Sequence, residues 1–157
     1  MPLTPLHFGL LAPANHWFRG KVSVASFVVV NLWIDAEAIH AWWSDLPLPS
    51  HENAGHTLLG AMITAVIVAL PGVRSMSWAL GSFFGATSHI LLDALVHPEM
   101  RPFEPLVLGN PLYLDLMTPL SLCLLPLTVW FTAQCVSYAF GFVRGHHRLP
   151  PKAREGP

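Results

Sequence analysis

Met76-Ser77-Trp78-Ala79-Leu80-Gly81-Ser82-Phe83-Phe84-Gly85-Ala86-Thr87-Ser88-His89-Ile90-Leu91-Leu92-Asp93-Ala94-Leu95-Val96-His97 is the stretch on which the fold of this chain turns. It carries no Lys or Arg. As a helix rising about 1.5 Å per residue it is long enough to cross a hydrocarbon core of about 30 Å. Three more apolar stretches flank it, Val22 to Trp43, Ala54 to Val73 and Leu112 to Val143. Together they predict an all-α integral membrane protein with four transmembrane helices. Met1 to Phe18 is apolar but broken by Pro2, Pro5 and Pro13, and it lacks a basic leader. It reads as a short N-terminal interfacial or re-entrant helix rather than a cleavable signal.

Composition agrees. The 157 residues are 53% hydrophobic and 11% charged, against roughly 25% charged in an ordinary soluble domain. The mean hydropathy is +0.50. This disfavours a soluble domain and, with it, disorder. A formal net charge of -1 gives no basic footprint for nucleic acid. Residues 1–143 form one membrane-embedded helical unit, and 144–157 a basic tail.

Breakers and cations set the topology. Pro71-Gly72 and Val73-Arg74-Ser75 make a tight hairpin between the second and third stretches. Pro119 and Pro126 kink the fourth or delay its start. Arg19 and Lys21, Arg74, and the group Arg144, Arg148, Lys152 and Arg154 mark three cytoplasmic places by the positive-inside bias. The expectation is a multi-pass protein of a bacterial inner membrane with both termini cytoplasmic. Gly81 and Gly85, with Ser82 and Ala86, give the third helix a small-residue face for close helix approach.

Nine histidines against eight Lys plus Arg is unusual for so apolar a chain. Ionisable groups inside spans are costly, so each is a functional candidate. Counted from the cytoplasmic ends, Asp35 and His89 lie roughly 20 Å up and His56 roughly 23 Å up. Carboxylate and imidazole from three helices thus fall in one layer near the non-cytoplasmic side. His89 and Asp93, four apart, share a helix face and suit zinc or a similar divalent ion. The alternative for this pair is a hydrogen bond joining helices. His51 and His56 bracket Asn53, which can cap the following helix. Asp35 and Glu37 diverge by about 200° on a helix, so one of them is expected to hold a ligand histidine rather than the ion. His7 reaches the layer only if the N-terminal segment dips into the bilayer. His146 and His147 belong to the basic tail. Cys123 and Cys135, twelve apart on one helix, are about 18 Å apart and cannot pair.

The order of these motifs resembles a known family. A histidine near the N-terminus (His7) is followed by Asp35-x-Glu37, then His51 with His56-Thr57-Leu58-Leu59, then Ser88-His89-Ile90-Leu91-Leu92-Asp93. The order is similar to that of the bacterial inner-membrane proteins known as membrane-bound metal-dependent hydrolases, the YdjM-like group. The resemblance covers about the first two thirds of the chain. Glu37 stands where the family more often has Asp, Glu52 where it often has Arg and Leu58 where it often has Ser. The family is distantly similar to zinc-dependent phospholipase C, which implies a site of two or three zinc ions.

The expected function is therefore a metal-dependent, zinc-type hydrolase acting on a phosphoester or lipid headgroup at the non-cytoplasmic face. Metal ions there would polarise a phosphoryl oxygen and activate water. The expected ligands are His7, Asp35, Glu37, His51, His56, His89 and Asp93. Glu52 or Glu99 would supply acid or base, with Glu104 a further candidate. The alternative is a non-catalytic metal-binding or haem-binding subunit of a membrane protein complex. The carboxylates in the layer favour harder cations over haem.

Overall fold

The computed structural model describes residues 4–18, 21–47 and 53–146, without the side chains of 4–5 and 138–146. Every regular element among these residues is helical. The N-terminal segment is α1 (Thr4–His7), a 3-10 turn (Phe8–Leu10) and α2 (Leu11–Trp17). Then come α3 (Val24–Ile34), α4 (Ala36–Trp43), a 3-10 turn (Ala54–His56), α5 (Leu58–Ala69) with a terminal 3-10 turn (Leu70–Gly72), α6 (Met76–Val96) and α7 (Met117–His146).

Among the described residues, four uninterrupted spans do not form. Two helical stretches, Met76–Val96 and Met117–Ser137, are long and apolar enough to cross a membrane. The first apolar stretch is broken instead: α3 and α4 meet at 65° around Asp35, whose φ of -87° and ψ of 8° lie outside the helical basin. The bent pair makes a third span only if it crosses as one unit. The second stretch is shortened because Thr57 caps it, its hydroxyl accepting from Gly60 N at 3.0 Å. The apolar helix Leu58–Gly72 that remains would rise only roughly 22 Å.

The other boundaries follow the sequence. Ser75 caps α6 after the Pro71-Gly72 turn. The Asn110 side chain closes its far end, donating to the carbonyls of Ala94 and His97 at 2.7 and 2.8 Å. The start of α7 is delayed to Met117, with Pro119 in its first turn and Pro126 inside it. Pro119 there removes an N–H that has no helical partner anyway.

Packing centres on α6, which lies against α3 and α5. Val30 and Ile34 of α3, Ala61, Ala65 and Val68 of α5, and Ala86, Ile90 and Ala94 of α6 form the main core. The small-residue face works as expected. A Cβ on Gly85 would stand 2.6 Å from Val30 Cγ1 and 3.1 Å from Asn31 Nδ2, so α3 reaches this depth only because Gly85 has none. The N-terminal segment is packed into the bundle, chiefly along α7. A Cβ on Gly9 would meet Leu124 O at 2.7 Å, and Thr128 Oγ1 donates to Leu6 O at 3.3 Å. Phe18 stacks edge-on to Phe84, while His7, near the other end of the segment, reaches Asp93 one α6 turn before its C-terminus.

Candidate metal centre

Three helices and one turn bring four donors together. Asp35 comes from the α3–α4 bend, His56 from the turn before α5, and His89 and Asp93 from successive turns of α6. Their ligand atoms all lie within 4.8 Å of one another, and all four residues are buried. Asp35 Oδ1 is 3.4 Å from His56 Nε2 and 3.4 Å from His89 Nε2, and Asp93 Oδ2 is 3.2 Å from His89 Nε2. A tetrahedron with ligand distances of about 2.1 Å has edges of roughly 3.4 Å. Three of the donor separations are close to that edge, and the group could hold one metal ion.

His89 Nε2 is fully buried and makes no hydrogen bond, although two carboxylates stand close by. Its other nitrogen explains the orientation. Asn31 Nδ2 donates to Phe27 O at 2.8 Å, which turns Asn31 Oδ1 toward His89 Nδ1 at 2.9 Å. An amide oxygen only accepts, so Nδ1 carries a proton and Nε2 is the ring nitrogen turned toward the carboxylates. His56 is arranged in the same way. Asn53 Oδ1 accepts from His56 N at 3.0 Å and from His56 Nδ1 at 2.8 Å, leaving Nε2 for the cluster. Ring nitrogens fixed by a hydrogen bond on the far side are the usual arrangement of metal-ligating histidines.

Charge favours a cation. Asp35 and Asp93 are each 3% exposed, and an uncompensated buried carboxylate costs several kcal/mol. A cation held among the two carboxylates and the two imidazole Nε2 atoms would offset that charge.

The remaining candidates fall outside this group. His7 touches it: its Nε2 donates to Asp93 Oδ1 at 3.1 Å, and its Nδ1 lies 3.0 Å from His89 Nδ1. It holds one oxygen of Asp93 while the other faces His89. His7 reaches the group because the N-terminal segment packs into the helix bundle, chiefly along α7. Glu37 is exposed and accepts from Asn53 Nδ2 at 3.0 Å, so of the two carboxylates Asp35 faces the cluster and Glu37 steadies a ligand histidine through Asn53. Glu99 pairs with His97 at 3.4 Å. Glu104 lies in the loop beyond, lining an apolar groove beside Leu58 and Phe103. His51, Glu52 and residues 147–157 of the basic tail lie outside the described residues. Among the described residues one donor group assembles, where the sequence suggested two or three ions.

Asn31 and Asn53 are the residues that sequence reasoning undervalued. Asn31 shares a helix face with Asp35, and Asn53 was legible as a cap; their contacts with the two imidazoles depend on tertiary packing.

No family model matches this chain, and neither does any curated protein or solved structure.

Proposed function

We propose that the protein is a membrane-bound, metal-dependent hydrolase of the zinc type, acting on a phosphoester at the non-cytoplasmic face of a bacterial inner membrane. The observation that carries this reading is the buried, hydrogen-bond-free Nε2 of His89, set 3.2–3.4 Å from two carboxylate oxygens. The two membrane-length helices and the motif order support the setting and the chemistry. Asp35, His56, His89 and Asp93 hold the ion, His7 orients Asp93, and Asn31 and Asn53 orient the two histidines. When bound, such an ion supplies Lewis acidity toward a phosphoryl oxygen and toward water. Glu37 is an exposed carboxylate linked to the ligand set through Asn53. It is placed to take a proton at the mouth of the site.

Metal analysis of the purified full-length protein tests this reading. One zinc per chain is expected, together with hydrolysis of bis(p-nitrophenyl) phosphate that a chelator abolishes and zinc restores. A stably folded wild-type protein that holds no metal and takes none up overturns it.

A further inference from the structure

Of the two membrane-length helices, α7 is the one the bundle covers least. In the apolar window of Met117–Ser137 11% is buried, against 50% in α6. Leu124 and Thr128 face inward, where the N-terminal segment packs. From Leu116 to Val143 the sequence holds no Asp, Glu, Lys or Arg. Gln134 nevertheless stands within it, exposed, and its carboxamide has no hydrogen-bond partner among the described residues.

A helix can satisfy its own hydroxyls, as Thr128 Oγ1 shows by donating to Leu124 O at 2.9 Å. A carboxamide carries two N–H donors and an acceptor oxygen, which one carbonyl of its own helix cannot satisfy. A bilayer core takes about 20 helical residues, and every window of that length between Leu116 and Val143 includes Gln134. At whatever depth α7 crosses, this amide lies in hydrocarbon and calls for a partner on another helix.

Its neighbours mark the face that supplies one. Cys123, Leu127, Trp130, Gln134 and Ser137 are spaced four, three, four and three apart, the heptad spacing of a left-handed helix pair, with Leu127 and Gln134 at a positions. Leu127 is half-buried and the other four are exposed. The neighbouring stripe of Leu122, Leu125, Val129 and Val136 is exposed and wholly apolar, which suits acyl chains. Gln134 is self-complementary: the amide of one copy can donate to the oxygen of the other and accept in return, as a two-fold interface requires. Two copies inserted the same way round have parallel helices, so each seam residue meets its own counterpart. We propose that α7 joins two copies of this chain along this seam, with the Gln134 carboxamides paired across the two-fold axis. The inference rests on α7 crossing the membrane and is independent of the metal centre.

The native cysteines report the geometry. Full-length protein in bacterial membranes is washed with alkaline carbonate, oxidised with copper phenanthroline and run on a gel without reductant. Cys123 lies on the seam, whereas Cys135, also exposed, lies about 120° round the helix from it. Cys135→Ser, which keeps Cys123, is expected to cross-link to a dimer as fully as wild type, and Cys123→Ser to remain monomeric on the gel. Sedimentation equilibrium in detergent then compares dimer affinities. Gln134→Leu is expected to weaken the dimer about 3- to 30-fold, the range for a polar group between membrane helices, and Gln134→Asn to retain most of the affinity. Embedded protein whose Cys123 does not cross-link, or whose Cys135 cross-links as readily, overturns the inference and leaves the metal centre standing. So does a Gln134→Leu dimer as tight as that of wild type. Release of the protein by carbonate overturns the inference together with the membrane setting. Cross-linking through Cys123 in protein that binds no zinc supports the inference while the metal reading fails.

Discussion

His7 Nδ1 lies 3.0 Å from His89 Nδ1 across 82 positions of sequence, and His7 Nε2 donates to Asp93 at 3.1 Å. The N-terminal segment is thereby part of the site: it is the element that fixes which oxygen of Asp93 faces inward. His7→Ala is expected to weaken zinc binding by about 10- to 100-fold, the usual cost of losing a group that orients a ligand. His7→Gln, which can still donate to Asp93, is expected to recover most of it. Competition titration with a zinc chelator measures both.

His89→Ala removes the donor common to both carboxylates. Zinc is expected to fall below stoichiometric levels. Asp35 and Asp93 are then left buried with no central imidazole, and stability is expected to drop by roughly 3–5 kcal/mol, as when one partner of a buried ionic group is deleted. Metal analysis and thermal unfolding in detergent check the two effects separately.

Asn53 both caps a turn and orients His56, and its neighbour Thr57 caps α5 without touching the His56 ring. Each alanine substitution is expected to cost about 1 kcal/mol of stability through the lost cap. Only Asn53→Ala is expected also to lower zinc affinity, by about 10- to 100-fold. Equal zinc affinity in the two variants would show that the Asn53–His56 bond plays no part in binding.

Gly85→Ala places a methyl group 2.6 Å from Val30 Cγ1 and near Asn31. Overpacking of this kind typically costs 1–3 kcal/mol, and pushing α3 outward also withdraws Asn31 from His89. A lower unfolding temperature with weakened zinc binding is expected, whereas Gly109→Ala, strained by its φ of +81° but with nothing within 4 Å, is expected to lower the unfolding temperature and leave zinc binding unchanged.

Much of this arrangement was legible in the residue order. The length of Met76–Val96, the cap at Asn53, the proline delay before Met117 and the small-residue face of α6 all follow from local rules. Counting the helical rise placed Asp35, His56 and His89 in one layer, and their side chains meet. Four full spans were expected because hydropathy averages over a window and does not register one residue leaving the helix. Asp35 does so, and the first stretch becomes a bent pair.

By itself, then, the sequence determined the helices, their apolar character, the His89–Asp93 pair and the depth at which polar groups gather, because these depend on periodicity and on neighbours within a turn or two. Only the tertiary structure decided that Asp35 rather than Glu37 faces the donors, that His7 arrives beside Asp93, and that Asn31 and Asn53 set the two imidazoles. Those outcomes depend on a 65° bend and on contacts between distant segments, where a close approach at Gly85 and Gly9 rather than any local pattern brings the groups into reach.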